Sequence, residues 1–219
     1  VDAKMLLGGL NSDADCYMAD FEDASSPTWA NLIQGQENIR QAVAGTLQVE
    51  RNGEVRTLNQ GDTKLWIRVR GLHLGERHVE VDGQVIGAGL FDLTVSLYHT
   101  AKAILAKGET PAYYIPKIEH YQEARYWNNL LVALEDALDL PHGTVKVTVL
   151  VETLPAVFQM DEILYELADH IVALNAGRWD YLFSAIKCTR WDAKRVLPDR
   201  GLLSMSVPWM DAYQRRLVA

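Results

Sequence analysis

The sequence predicts an α/β fold built on a parallel sheet, of the (β/α)8 barrel type rather than the doubly wound type. Short apolar stretches alternate with segments of helical periodicity about five times, which is typical of strands joined by helical crossovers. No GxGxxG motif opens the first helix, and this weighs against a dinucleotide-binding sheet. Nearly every predicted strand ends at a polar residue, as on the active-site rim of a barrel: Glu22, Arg68 or Arg70, Lys117, Glu152 and Asp180. Five units do not close a barrel of eight, so the sheet is open or belongs to a longer chain.

Composition narrows the class of protein. The chain has 219 residues, of which 48% are hydrophobic, enough for a globular domain with a sizeable core. Its net charge of −8, without a basic block, disfavours nucleic acid or an anionic membrane as the main partner. No apolar run approaches the roughly 20 residues that span a bilayer, and no signal peptide opens the chain. The two cysteines, Cys16 and Cys188, lack zinc spacing and are too few for a disulfide framework.

The first elements are a strand and a helix. The segment Lys4 to Leu10 is ambiguous between a short helix and the approach to a strand, and Asp15 to Phe21 is predicted as that strand. A helix is expected to follow, with Ser26 as its N-cap and Pro27 at its first position, and to continue to about Ala44.

Two β-hairpins interrupt the strand–helix alternation. The first spans Leu47 to Leu58 and turns at Asn52-Gly53, and the second spans Arg77 to Ile86 and turns at Asp82-Gly83. Both dipeptides favour the type I′ turn that joins antiparallel strands. Between the hairpins, Lys64 to Val69 is predicted to be a strand of the main sheet.

The alternation then continues. A helix is predicted from about Leu90 to Lys107 and stops at Gly108, the expected C-terminal glycine. The strand Ala112 to Ile115 and the helix His120 to Leu138 come next. The last predicted helix begins at Pro208 and runs to about Val218, whereas the type of the segment 181–186 is left open.

A β-α-β unit between residues 146 and 180 carries two acids. The strand Lys146 to Val151 ends at Glu152, and a turn is predicted at Thr153-Leu154-Pro155. Apolar residues at helical spacing from Met160 to Ile171 then predict one helix, and a second strand, Ile171 to Leu174, precedes Asp180. Neighbouring parallel strands end at the same rim, so the two carboxylates can converge on one hard cation, Mg²⁺ or Mn²⁺. Alternatively, each acid only caps the helix that follows it.

Other charged and glycine residues at this rim allow a functional and a structural interpretation. The backbone from Gly177 to Asp180 could hold a substrate carboxylate or only make a turn. Arg68 could stabilise an oxyanion or form an ion pair with Asp20 or Glu22, and Arg70 competes for the same role. No GxSxG motif and no convincing Cys/His pair occurs, so a nucleophilic hydrolase is not predicted.

Several long segments resemble one enzyme family. The chain is similar, over essentially its whole length and in the same order, to malate synthases of the A isoform. The matching segments are MADFEDASSPTW (Met18 to Trp29), GQENIRQAV (Gly35 to Val43), RVRGLHL (Arg68 to Leu74), VETLPAVFQMDEILYEL (Val151 to Leu167), LNAGRWDYLFSAIK (Leu174 to Lys187) and VLPDR (Val196 to Arg200).

The resemblance implies a TIM-barrel enzyme of the glyoxylate cycle that condenses acetyl-CoA with glyoxylate and water to give malate and CoA. It implies that Glu152 and Asp180 bind Mg²⁺, and that Arg68 is the catalytic arginine that stabilises the enolate. Asp20 and Glu22 would supply acidic groups behind the metal. The resemblance also implies the cytoplasm of a bacterium, or a peroxisome or glyoxysome in a eukaryote.

The glyoxylate carboxylate is expected to bind the backbone amides of four consecutive residues. By resemblance these are Gly177, Arg178, Trp179 and Asp180.

The sequence also departs from the family pattern. The family's general base is an aspartate in a C-terminal helical domain, within a motif like GLMEDAAT, and no segment here matches it. Residues 1–219 are therefore expected to be a partial TIM-barrel catalytic domain without the N-terminal clasp, the later strands or the helical domain. Two alternatives remain at this point: an inactive remnant that binds Mg²⁺ and a 2-oxo acid, and an aldolase of the citrate-lyase-β or HpcH type.

Overall fold

The computed structural model describes residues 1–59 and 61–219, and they form an α/β fold around one parallel sheet. The five strands of this sheet are β1 (Cys16–Asp20), β4 (Lys64–Arg68), β7 (Ala112–Ile115), β8 (Lys146–Val151) and β9 (Ile171–Ala176). The eight α-helices of the described chain are α1 (Ala3–Leu10), α2 (Trp29–Ala44), α3 (Ala88–Ala106), α4 (Tyr121–Ala137), α5 (Leu154–Val157), α6 (Met160–Glu166), α7 (Arg178–Thr189) and α8 (Pro208–Val218).

The order of the strands in space is the order along the chain, β1-β4-β7-β8-β9, and every neighbouring pair is parallel. A doubly wound sheet reverses its strand order at a switch point, and this sheet does not. Successive strands are therefore added to the sheet in one direction, as in a barrel. This confirms the predicted fold class.

Both predicted hairpins are present outside the main sheet. The first consists of β2 (Gln48–Arg51) and β3 (Glu54–Thr57), and the second of β5 (Gly75–Val81) and β6 (Gln84–Gly87). Their turn residues have positive φ angles: 53° and 80° in the first, 52° and 73° in the second. Two consecutive positive φ angles define the type I′ turn that the Asn-Gly and Asp-Gly dipeptides predict.

Two helix predictions were wrong in detail. The N-cap of α2 is Thr28, whose Oγ1 accepts a hydrogen bond from the Asn31 amide at 3.3 Å, whereas the Ser26 carbonyl accepts the Thr28 amide in a turn before the helix. The predicted turn at Thr153-Leu154-Pro155 is instead the start of a short helix, α5, which is separated from α6 at Gln159, where φ is −130°. The Gln159 side chain accepts a hydrogen bond from the Tyr121 amide at 3.1 Å and thereby ties the break to the start of α4.

Two segments that the sequence left undecided are helical. Lys4 to Leu10 lies within α1, and residues 181–186 lie within α7. The strand β9 extends two residues further than predicted, to Ala176. This extension brings the start of α7 directly onto the rim of the sheet.

The core lies between the sheet and the helices. All four residues of β7, the central strand, are buried, and so are five of the six residues of β8. Trp127 of α4 is fully buried and belongs to the same hydrophobic core. None of the helices in the described part of the chain is long and apolar enough to cross a membrane.

Candidate active site at the carboxyl ends of the strands

Five strand ends meet at one rim and bring charged side chains together. Asp20 ends β1, Arg68 ends β4, Lys117 follows β7, and Glu152 follows β8. Asp180 lies in the first turn of α7, which begins two residues after β9. Parallel pairing aligns these ends, since Asp20 and Arg68 are register partners and Ile115 of β7 is paired with Val149 of β8.

Arg68 is held against Asp20 by two parallel hydrogen bonds. Its Nε lies 2.8 Å from Asp20 Oδ1 and its Nη2 lies 2.5 Å from Oδ2. Burial favours the neutral acid, but the hydrogen bonds and charge of Arg68 outweigh it and lower the pKa of Asp20. The predicted ion pair is therefore present. It fixes the direction of the guanidinium, whose Nη1 lies 3.4 Å from Glu22 Oε2.

Arg70 does not share the site. Its guanidinium binds both oxygens of Asp92, at 2.9 and 2.8 Å, and contacts Glu76 at 2.9 Å, and all three side chains are buried. The chain leaves the strand after Arg68, so the two arginines point into different surroundings although they are two residues apart. Of the two arginines, Arg68 lies at the rim and Arg70 is paired elsewhere.

Glu152 and Asp180 share one small volume at the rim. Only 1% of the Glu152 side chain is exposed, and its Oε1 accepts a hydrogen bond from the Lys117 amide at 2.9 Å. Burial, together with the neighbouring carboxyl of Asp180, raises the pKa of Glu152 to about 8 against the opposing charge of Lys117. A buried carboxyl beside a second acid favours the binding of a cation.

The cation that lies among these carboxylates is the ammonium of Lys117. Its Nζ lies 2.8 Å from Glu22 Oε1, 3.1 Å from Asp180 Oδ2 and 3.4 Å from Glu152 Oε1. Burial alone would lower the pKa of Lys117, but the hydrogen bond with Glu22 and the charges of the other two acids raise it. The arrangement accommodates a cation, and we call the three acids Glu22, Glu152 and Asp180 the carboxylate cage.

Gly177 allows the start of α7 to approach Glu152. A Cβ atom at residue 177 would lie 2.7 Å from the Glu152 Cβ and 3.1 Å from its Oε2, closer than side chains pack. The φ angle of Gly177 is −106°, an ordinary value. The glycine is therefore required for close packing rather than for an unusual turn.

The amides after Gly177 point out of the helix end. The Gly177 amide donates to the Tyr213 hydroxyl at 2.9 Å, and no side chain caps α7. The amides of Arg178, Trp179 and Asp180 open the helix, where backbone N–H groups have no partner within the helix. Such a helix start favours an anion.

The described residues, 1–59 and 61–219, contain no group of three or more His, Cys, Asp or Glu side chains able to hold a metal ion. Glu152 and Asp180 can therefore offer two ligands, and Mg²⁺ commonly completes such a set with substrate and water oxygens. Glu22 Oε2 is buried and has no hydrogen-bond partner, although Arg68 Nη1 lies 3.4 Å from it. These residues fit Mg²⁺ on chemical grounds.

Comparison with known proteins identifies the family. The family described as malate synthase, TIM barrel domain, matches residues 64–219 of this chain. The chain belongs to the malate synthase family.

Curated relatives match the chain from end to end but are longer than it. The malate synthase of Myxococcus xanthus is 48% identical over 219 residues, and malate synthase A of Escherichia coli is also 48% identical. The glyoxysomal malate synthase of Candida tropicalis is 46% identical. The chain spans about 40% of the length of these relatives.

Solved malate synthase structures have the same fold. The Haloferax volcanii enzyme in a magnesium/glyoxylate complex superposes with a TM-score of 0.65 at 17% identity, over 98% of this chain and 54% of the other. Its lead(II) complex matches equally well. At this identity the likeness concerns the fold.

Two residues of the site were not identified as such from the sequence. Lys117 was recognised as a polar residue at a strand end but received no role, and Tyr213 of α8 was not considered. A Pro-Lys pair directly after a buried strand was the available signal for Lys117. No local pattern points to Tyr213, because it reaches the site from 36 residues beyond Gly177.

Proposed function

We propose that this chain carries the metal- and glyoxylate-binding part of a malate synthase, which condenses acetyl-CoA with glyoxylate and water to give malate and CoA. The observation that supports this most strongly is that Glu152 and Asp180 converge on one cation, the Lys117 ammonium, at the rim where Asp20 holds Arg68. We further propose a bacterial cytoplasm, or a glyoxysome in a eukaryote, since both bacterial and glyoxysomal relatives exist.

Glu152 and Asp180 would hold Mg²⁺. When bound, the metal polarises the aldehyde carbonyl of glyoxylate and makes its carbon electrophilic. The amides of Arg178, Trp179 and Asp180 would bind the glyoxylate carboxylate through the start of α7. This set orients the substrate at the rim of β8 and β9.

Arg68 would stabilise the enolate of acetyl-CoA. Its Nε and Nη2 are occupied by Asp20, which fixes the guanidinium plane, and its Nη1, 3.4 Å from Glu22 Oε2 and without a hydrogen bond to it, would be the donor toward an oxyanion. A fixed charge that needs no reorganisation gives the largest stabilisation of such an intermediate. Asp20 acts here by orienting the arginine.

The base that removes the methyl proton would lie elsewhere in the malate synthase polypeptide. At this rim Asp20 is engaged by Arg68, and Glu22, Glu152 and Asp180 surround Lys117. A general base must lie within hydrogen-bond reach of the proton that it removes, and these acids are directed at the two cations instead. We therefore propose that residues 1–219, a partial TIM-barrel catalytic domain, supply the half of the site that activates glyoxylate.

The family match favours malate synthase over an aldolase of the citrate-lyase-β or HpcH type. The remaining alternative, an inactive chain that binds Mg²⁺ and a 2-oxo acid, is separated from the proposal by a turnover measurement. We expect the 219-residue chain alone to release no CoA from acetyl-CoA and glyoxylate, as measured with a thiol reagent. CoA release dependent on glyoxylate would show that these residues contain the base.

The metal site itself is tested by Mn²⁺ binding in the presence of glyoxylate. The electron paramagnetic resonance signal of free Mn²⁺ measures the amount that remains unbound. We expect Glu152→Gln to weaken binding at least tenfold, about 1.4 kcal/mol, because it removes a charged ligand. Glu162→Gln, an exposed residue of α6, serves as the matched control and should bind as the unmodified chain does. Equal binding by Glu152→Gln would refute the assignment.

A further inference from the structure

Lys117 has an unusual backbone conformation for a residue with a side chain. It follows β7 by two residues, after Pro116, and its φ angle is +59°. Left-handed conformations are uncommon for residues other than glycine, asparagine and aspartate. The conformation directs the amide of Lys117 to Glu152 and its side chain into the carboxylate cage. The surrounding structure therefore holds this lysine at the site.

The ammonium and a divalent cation require the same oxygens. Lys117 Nζ lies 3.1 Å from Asp180 Oδ2 and 3.4 Å from Glu152 Oε1, and these two side chains are the proposed metal ligands. Mg²⁺ binds oxygen at about 2.1 Å and demands a nearly ideal octahedron. A positive charge directly beside these two oxygens opposes the binding of a second one.

Glu22 offers the ammonium a second position. Its Oε1 already lies 2.8 Å from Lys117 Nζ, the shortest of the three contacts, whereas its Oε2 faces Arg68 Nη1 at 3.4 Å without a hydrogen bond. The Lys117 side chain is 20% exposed, so its flexible four-carbon stem has room to move. Withdrawal toward Glu22 would leave Glu152 and Asp180 free without leaving the ammonium unpaired.

We propose that Lys117 is an exchangeable counter-ion of the metal site, which neutralises Glu22, Glu152 and Asp180 and withdraws toward Glu22 when a divalent cation binds. Lys117 thereby sets the affinity of the site for the cation. This inference rests on the proposed function, because it takes Glu152 and Asp180 as the metal ligands. It makes Lys117 a positioning residue that acts through the carboxylates.

The test is the binding of Mn²⁺ alone to the 219-residue chain and to Lys117→Met, measured by electron paramagnetic resonance. We expect the dissociation constant to fall at least tenfold in Lys117→Met, because the competing charge is gone. Lys187→Met is the matched control, since Lys187 is exposed and contacts only Glu119 at 3.5 Å among the acids of the described chain, and it should bind as the unmodified chain does. Unchanged or weaker Mn²⁺ binding by Lys117→Met overturns the proposal.

A second readout distinguishes exchange from a purely structural role. Without added cation, Lys117→Met should unfold at a lower temperature, since three carboxylates lose their partner, and Mn²⁺ should raise its melting temperature more than that of the unmodified chain. A lysine that merely supports the fold would lower the melting temperature without increasing the response to Mn²⁺. Lys117→Gln, which keeps a hydrogen-bond donor without the charge, replaces the methionine variant if that variant does not fold.

The two proposals fail in different ways. If Mn²⁺ binds the unmodified chain and is lost in Glu152→Gln, but Lys117→Met binds no better, the exchange is wrong and the metal site stands. If neither the unmodified chain nor Lys117→Met binds Mn²⁺, the metal assignment is wrong, and the exchange is overturned with it.

Discussion

The hydroxyl of Tyr213 connects the last helix to the end of β8 and to the start of α7, the two elements next to the proposed metal ligands. It donates to the Val151 carbonyl, next to Glu152, and accepts from the Gly177 amide at 2.9 Å. The ring is buried and stacks on Tyr181 with centroids 4.1 Å apart. One side chain therefore ties α8, β8 and the start of α7 together.

Tyr213→Phe should lower the free energy of unfolding by about 1–3 kcal/mol. The substitution keeps the ring but leaves the Gly177 amide and the Val151 carbonyl without this partner in a buried position. Chemical denaturation followed by circular dichroism measures the loss. Tyr165→Phe, an exposed residue of α6, is the control and should change stability by less than about 0.5 kcal/mol.

The stability difference between the unmodified chain and Tyr213→Phe should also depend on pH. Burial raises the pKa of Tyr213 to about 12, above its ordinary value of 10. A tyrosine whose pKa is higher in the folded chain than in the unfolded chain contributes its full stabilisation at a pH below its unfolded pKa. This contribution is lost as the pH rises from about 10 to about 12. The difference in stability between the unmodified chain and Tyr213→Phe should therefore shrink over that interval. A difference that stays constant would contradict this.

At the scale of elements, the contact between the start of α7 and Glu152 decides the geometry of the rim. The contact depends on Gly177, since a Cβ there would overlap the Glu152 side chain. The extension of β9 to Ala176 places this glycine directly above the end of β8, with Val151 and Ala176 as register partners. Two acids 28 positions apart in the sequence thus become neighbours.

Gly177→Ala should weaken Mn²⁺ and glyoxylate binding more than it weakens folding. The added methyl group displaces the Glu152 side chain, whereas the backbone conformation of residue 177 is open to alanine. Binding titration and thermal unfolding of the same preparation separate the two effects. In the control Gly8→Ala the new Cβ meets nothing within 4 Å, so binding should not change. Intact binding in Gly177→Ala would show that the contact does not position Glu152.

At the scale of the whole molecule, the sheet has two edges. In the described part of the chain β1 pairs only with β4, and β9 pairs only with β8. Each edge exposes unpaired backbone groups, and Val172 on β9 is 52% exposed. In a closed barrel every strand has two neighbours, so these edges are suited to pair with further strands.

The 219-residue chain in isolation should therefore self-associate, as measured by sedimentation velocity over a range of concentrations. Val172→Lys should reduce the association, because a charge on an edge strand opposes pairing with another chain. Lys102→Arg, which keeps an exposed charge on α3, should leave it unchanged. A monomer at all concentrations with one sharp thermal transition would count against association through these edges.

The elements that were predicted correctly depend on local patterns. Asn52-Gly53 and Asp82-Gly83 determine their turns by backbone preference alone, and the buried strand Ala112–Ile115 stands out by its apolar run. The break at Gln159 was missed because it depends on a hydrogen bond to Tyr121, 38 positions away. A contact between distant residues leaves no periodic signal in either segment.

The sequence by itself determined the family and the strand–helix alternation. It also determined the rim that Glu152 and Asp180 share, because pairing aligns the strand ends of a parallel sheet. Only the tertiary structure decided which charges meet there. It placed Arg68 rather than Arg70 in the site and brought Lys117 between three acids. Those contacts are set by distances across strands and helices, which depend on how the whole chain packs.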